Sequence, residues 1–310
     1  LHGLTKMFEM RGQGGVSEIL RSDEETAPWR ASAALLLGRW VFDRPAMTIL
    51  RRQLEHEHPL VRAAAVRSLG PAAQSDSSEA RSALAKMLED PVRNVRVAAA
   101  WALRDTVDLD SVAGRELVHS LEHTADQPSG QMRFGQFKFA RGERAEAVAH
   151  LRKAIEWDPN SPPFHHDLAV MLNMTGDNEG SIASLEEACR LAPDEAEYHY
   201  KLALALNEQG FLPRAAKLLQ RTVEIDPGHG RAWYNLGLAY NTLQDPAKAI
   251  DALLQGERVN AGDPAIPYAR ATIHARLGQR AEAIAAARRA LEIDPQFVQA
   301  QQMLLTLGAR

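Results

Sequence analysis

One cysteine, Cys189, stands among 310 residues. It excludes a disulfide within the chain, a zinc site built from cysteines and any C-x-x-C-H haem attachment. It does not fix the compartment. Long apolar runs are also missing: none approaches the ~18 residues of a membrane span, so no membrane insertion is expected. Positive charge is not in excess. The formal net charge is −4, and no global basic field draws the chain to nucleic acid. No nucleophile elbow, P-loop or H-E-x-x-H is present. The nearest approach to a phosphate loop is "GQGGV" (12–16), with no strand before it and no Gly-Lys-Ser/Thr after it. It is expected to be a plain loop. The first residues are Leu-His-Gly-Leu, without Met, as in a processed chain or the tail of a longer one. Arginine far outnumbers lysine, which points to a GC-rich bacterial source.

What is present is an average soluble composition, 45% hydrophobic and 25% charged, and a period. "EIDP" at 224–227 returns at 292–295, a distance of twice 34. Stepping by 34 gives Pro159, Pro193, Pro227, Ala261 and Pro295. A second ladder is Gly142, Gly176, Gly210, Gln244 and Gly278; a third is Gly135, Ala169, Ala203, Gly237 and Ala271; a fourth is Ala147, Ser181, Ala215, Ala249 and Ala283. Each has a mechanical reason. Trp233, Leu236 and Tyr240 lie on one helical face, and Gly237 sits where two backbones approach. Gly210 and its equivalents suit a left-handed helix end. Asp245-Pro246 supplies an N-cap and a first-turn proline. The prolines near 227 and 295 stop the second helix.

The 34-residue unit, with "WYNLGLAY" and "PAKAI", resembles the tetratricopeptide family. The resemblance implies five helix pairs, 128–161, 162–195, 196–229, 230–263 and 264–297, followed by a capping helix in 298–310. Upstream, "WRASAALLLG" (29–38), "VRAAAVRSLG" (61–70) and "VRVAAAWALR" (95–104) align Arg30, Arg62 and Arg96, then Ala33, Ala65 and Ala99, then Leu37, Leu69 and Leu103. Ala27-Pro28, His58-Pro59 and Asp90-Pro91 precede them as helix starts. These segments resemble short HEAT-like repeats. The fold expected is all-α: an α-solenoid of HEAT-like helix pairs over 27–125, then the tetratricopeptide array over 128–310. Residues 1–26 fit no unit, and "ADQPSG" (125–130) marks the junction.

Catalytic groups are scattered. "HEH" (56–58) and "HHD" (165–167) lack the i, i+4 spacing that sets two ligands on one helical face. His165 falls at the Trp233 position, where packing explains it, and Cys189 reads as a half-buried, inert thiol. No enzyme, metal or cofactor is expected. Arg51, Arg52, Arg62, Arg67, Arg93 and Arg96 could form a basic stripe, yet acids are interspersed and HEAT-like arginines commonly pair with them. Nucleic acid is therefore not expected as a partner.

What remains is a binding surface. The tetratricopeptide resemblance implies a concave groove for a protein or an extended peptide segment. The family's clamp for acidic carboxyl termini is absent, because its positions hold Met132, Gln136, Asp167, Glu197 and Lys201. Tyr200, Tyr234 and Tyr268 recur at one position of the first helix, continued by His166 and Met132. Asn173, Asn207 and Asn241 recur seven residues later, on nearly the same face. Both lines are expected to face the groove and hold the partner. The order of the repeats also resembles the tail of some bacterial multihaem c-type cytochromes. That resemblance implies an exported, periplasmic docking module beside a multihaem cytochrome; without it, a cytoplasmic scaffold is expected.

Two details complete the expectations. Glu257 is placed at the small position held by Ala188 and Ala290, and Arg270 where other units have Leu202 and Leu236, so a Glu257–Arg270 ion pair is expected. Met303, Leu304 and Leu307 are expected to cover the apolar face of the fifth pair.

Overall fold

The computed structural model describes residues 2–22, 25–75 and 77–309, with side chains from residue 12 onward. The described residues form eighteen α-helices, α1 to α18 in chain order, and three short 3₁₀ turns, with no strand. They fall into two compact units, one ending at Trp157 and the other beginning at Asp158. The boundary between repeat types, near 125–130, lies one helix pair earlier.

The first unit holds α1 (His2–Arg21), α2 (Ala27–Leu37), α3 (Arg44–Arg52), α4 (Pro59–Gln74), α5 (Ser78–Lys86), α6 (Arg93–Ala102), α7 (Val112–His123), α8 (Pro128–Ala140) and α9 (Arg144–Trp157). The "GQGGV" stretch is not a loop. It lies within α1, where Gly12, with φ 56° and ψ −155°, puts a kink between two helical segments and residues 13–16 begin the second. The reason is tertiary. Val16, Ile19 and Leu20 are buried in the core with Ala33, Ala34 and Leu37 of α2, and this burial outweighs the low helix propensity of glycine. Residues 13–21 therefore supply a helix to the first stack.

The aligned arginines of the HEAT-like repeats are structural. Arg62 donates to both oxygens of Asp90, at 2.7 and 2.9 Å, and to the His56 carbonyl at 2.9 Å. Arg96 repeats the pattern one unit on, with Glu116 and the Asp90 carbonyl. Asp90 is buried. Burial alone would raise its pKa, but the Arg62 hydrogen bond, the Val92 N–H and the charges of Arg62 and Arg96 together hold it below the usual aspartate value. Asp90 also bonds Val92 N–H, so the helix after Asp90-Pro91 starts later than expected, at Arg93.

The second unit holds α10 (Pro162–Thr175), α11 (Asn178–Leu191), α12 (Ala196–Glu208), α13 (Leu212–Ile225), α14 (Gly230–Thr242), α15 (Pro246–Val259), α16 (Ala265–Arg276), α17 (Arg280–Ile293) and α18 (Val298–Thr306). The repeated small residues lie at the seams between paired helices. Ala169, Ala203, Ala215, Ala249, Ala271 and Ala283 are completely buried. A Cβ on Gly237 would come within 2.6 Å of Leu253. Gly176, Gly210 and Gly278 take positive φ at the pair turns, and Gln244 takes φ 62° at the equivalent turn, a conformation that costs a non-glycine residue about 1–2 kcal/mol. Asp245 caps α15 by accepting from Lys248 N–H at 3.1 Å. On α18, Ala300 is buried with Ala286, Ala287 and Ala290 while Met303 and Leu304 pack against them. Leu307 adds a backbone contact, its carbonyl accepting from Arg280 Nε at 2.9 Å.

One further device recurs in both units. A side-chain N–H near the start of a first helix donates to a backbone carbonyl six residues upstream. His165 reaches Pro159 at 2.8 Å, His199 reaches Pro193 at 2.9 Å, Trp233 reaches Pro227 at 2.9 Å and Gln301 reaches Pro295 at 2.8 Å. Gln131 does the same to Ala125, as Arg62 and Arg96 do in their repeats. A carbonyl can only accept, so His165 and His199 carry their proton on Nε2. The fifth tetratricopeptide pair has Pro267 at this position, which has no side-chain donor, and its loop is the one that lacks the usual proline, at Ala261.

The Glu257–Arg270 pair forms, with Nε to Oε1 at 2.7 Å and Nη2 to Oε2 at 3.2 Å. The register differs from the expectation by one residue. The seam position is Gly256, whose Cβ would lie 3.3 Å from the Trp233 Cβ. Glu257 instead follows the line of Cys189, Val223 and Leu291. Both side chains of the pair are largely buried, at 17% and 16% exposed. Replacing one of them alone leaves the other charge without its partner. Glu257→Val should lower the urea-derived stability by about 2–3 kcal/mol. Glu257→Val with Arg270→Leu, which restores the residue types of the other units, should recover most of it. A double variant no more stable than the single one would show that the pair is not coupled.

Candidate functional site

The face expected to form a groove in the second unit is carried by the first helices α10, α12, α14 and α16. Residues at i, i+4 and i+7 on each helix share one face. On α10 these are His166, Val170 and Asn173; on α12, Tyr200, Leu204 and Asn207; on α14, Tyr234, Leu238 and Asn241. The three positions fare differently.

The aromatic position is occupied by packing. Tyr200 is only 6% exposed. Its ring lies 4.6 Å from that of His229, and its hydroxyl accepts from Asn235 at 3.1 Å. Tyr234 packs against the buried cluster that contains Leu253, Ile266 and Ile273, and Tyr268 meets Phe297 edge-on at 5.4 Å. His166 lies against Tyr198 rather than Tyr200, with ring centroids 5.3 Å apart. Burial pushes up the phenol pKa of Tyr200 and Tyr234, so both remain protonated in the physiological range. Tyr200, expected to face the groove and hold the partner, is instead covered by packing within the array. Met132, its proposed extension, belongs to the first unit.

The asparagine position is open. Asn173 and Asn207 are exposed, and Asn241 is half-buried. Asn173 makes a long contact of 3.5 Å to Glu208, and Asn241 accepts from Arg276. Two cavities sit beside these amides. One of about 200 Å³ is lined by Ala169, Val170, Asn173 and Met174 of α10, Lys201, Leu204 and Glu208 of α12, and Ser181 and Leu185 of α11. A second of about 180 Å³ lies one repeat on, lined by Ala203, Leu204 and Asn207 of α12, Asn235, Leu238 and Thr242 of α14, and Leu212 and Leu219 of α13. Val170 is 39% and Met174 53% exposed, so the apolar content of the first cavity faces water. The aliphatic line Val170, Leu204, Leu238 was overlooked in the sequence, although its 34-residue spacing and its place between the tyrosine and asparagine lines are visible there.

The other candidates have local roles. His58 Nδ1 caps α4 by accepting from Leu60 N–H, and His56 Nδ1 accepts from His58 N–H. An i, i+4 histidine pair passed over in the sequence, His119 and His123 on α7, stacks at 6.3 Å on the surface. Among the described residues, no three His, Cys, Asp or Glu side chains converge on a site for a metal ion. Likewise, no helix there is long and apolar enough to cross a membrane.

Comparison with known proteins agrees with this architecture. Models described as HEAT repeats match residues 15–104 and 49–128, beginning within α1. Models described as tetratricopeptide repeat match 130–161, 200–264 and 268–297, and one described as TPR repeat matches 171–210. The chain belongs to the helical-repeat proteins, combining HEAT repeats with tetratricopeptide repeats. Among solved structures, MamA is 25% identical with a TM-score of 0.50, covering 53% of this chain and 96% of that one. A MamA structure from Desulfovibrio magneticus RS-1, 20% identical with a TM-score of 0.51, covers 56% of this chain and 97% of that one. YrrB, described as a TPR protein with an unusual peptide-binding site, is 18% identical with a TM-score of 0.52, covering 60% and 95%. A search of curated proteins gives no match.

Cys189 is buried on α11. Burial, assisted by the charge of Glu186, pushes its thiol up to about 11, so little thiolate exists near neutrality. In the native protein at pH 7.5, a chromogenic aromatic disulfide reagent should label Cys189 only at the rate of unfolding, and completely in denaturant. Stoichiometric labelling of the native protein within seconds would show an accessible thiol instead.

Proposed function

We propose that this chain is a non-catalytic scaffold that holds an extended segment of a protein partner in the groove of α10, α12 and α14. The observation that carries the proposal is the pair of open cavities one repeat apart. Each is lined by a buried alanine, by aliphatic side chains and by an asparagine. A primary amide both donates and accepts, which suits the backbone of an extended chain. The aliphatic walls take apolar side chains of that segment. The tyrosines hold the stack behind the groove and contribute little direct contact. That YrrB is described as having a peptide-binding site is consistent with this use of the fold. The alternative, a docking module beside a multihaem cytochrome, rests on the order of the repeats, and the geometry adds nothing to it.

The full-length chain should select binders from a displayed library of random linear peptides. Asn173→Ala with Asn207→Ala, and separately Val170→Asp, should weaken the selected peptides at least tenfold, about 1.4 kcal/mol, while leaving the melting temperature in place. A library that yields no saturable binder, or binders indifferent to these substitutions, would overturn the proposal.

A further inference from the structure

The arginines of the first unit do not all share one fate. Arg51 pairs with Glu79, Arg62 with Asp90, Arg81 with Asp105 and Arg96 with Glu116. Lys138 is bonded to both Glu143 and Glu146. Arg104 and Arg133 stand outside this pattern and share one aromatic ring. The guanidinium of Arg104 lies 4.7 Å from the centre of the Trp101 ring, and that of Arg133, on α8, lies 4.8 Å from it. Arg67, on α4, is close enough for its charge to act on Arg133. Among the described residues, none of the three has an acidic side chain bonded to it. Asp105, whose charge reaches Arg104, is bonded at 2.6 Å to Arg81.

The geometry is that of a cation cluster held ready. Arg104 Nη1 donates to the Trp101 carbonyl at 3.0 Å, while its Nε is buried with no partner. Arg141 donates to the carbonyls of Arg104 and Val107, which fixes the turn that carries Arg104. The indole stabilises the guanidiniums by cation–π attraction but does not neutralise them. Burial lowers the pKa of Arg104 and of Arg133, and for Arg133 the charge of Arg67 adds to the effect. Such a cluster is relieved by an anion.

We propose that Arg104 and Arg133 around Trp101, with Arg67 as a further positive charge, form a subsite for carboxylate side chains of an acidic protein segment. A guanidinium fork matches a carboxylate in bidentate fashion, and two such groups lie against the Trp101 ring, with the charge of Arg67 acting on one of them. Single-stranded nucleic acid suits the place less well. It needs free aromatic faces for its bases to stack on, and the Trp101 ring already carries two guanidiniums. The subsite is distinct from the acidic-tail clamp of tetratricopeptide grooves, whose positions 132, 136, 167, 197 and 201 hold one basic residue.

The test uses the full-length chain and a labelled hexaglutamate peptide. Binding should saturate, weaken as salt rises, and fall at least tenfold in Arg133→Gln and in Arg67→Gln. Arg67 is exposed and outside the ring contact, so its variant reports on charge even if the Arg133 variant loosens the packing. Arg93→Gln, an exposed control on the same unit, should bind as the parent does. Inorganic phosphate and an oligothymidylate of equal charge should compete less well. Absence of saturable binding, an equal loss in Arg93→Gln, or tighter binding of phosphate or of oligothymidylate than of hexaglutamate would overturn the assignment. The groove substitutions on α10 and α12 lie in the other unit, so peptide selection there can fail or succeed independently.

Discussion

The fold depends on the close approach of the two helices in each pair. At the seams a larger side chain has no room: the Gly237 Cβ position is 2.6 Å from Leu253, and the alanines at the equivalent places are sealed from solvent. Interiors are packed to crystal-like density, so even an added methylene must displace something. Because the seam recurs every 34 residues, each first helix presents the same face in the same direction. Lines of equivalent residues follow from that, and so do the repeated cavities. The groove is thus a consequence of where small residues are required.

A second constraint acts on the loops. Each chain turn into a first helix leaves carbonyls that need partners. The donor placed six residues on meets one of them, and it is arginine in the HEAT-like repeats and glutamine, histidine or tryptophan in the tetratricopeptide units. The two arrays have different sequence patterns and solve this problem in one way. Where the donor is lost, at Pro267, the preceding loop has also lost its usual proline.

Much of this was legible in the sequence. The period, the helix starts, the left-handed turns and the seams each leave a residue type that only one role explains, and the Glu257–Arg270 pair was legible as two charges set among apolar lines. The donor ladder was not, because Gln, His and Trp share an N–H and little else. The helicity of "GQGGV" was hidden because Val16 and Leu20 fold it through contacts with α2. The groove was half legible. Periodicity gives the face on which Tyr200 and Asn207 lie, but it cannot say that His229 and Asn235, from the following turn and helix, cover the tyrosine and leave the asparagine open. The arginine cluster was invisible for a related reason: composition counts charges, while pairing is decided by what faces them.

The claim that a single register divides each first helix between seam and groove is tested most directly at two neighbouring residues of α10. Ala169 is fully buried and Val170 is 39% exposed. Urea unfolding of Ala169→Leu and Val170→Thr, measured side by side, separates the two roles. The expected result is a loss of about 1–3 kcal/mol for Ala169→Leu and a change within about 0.5 kcal/mol for Val170→Thr. Equal losses at both positions would contradict the division and place Val170 in the core.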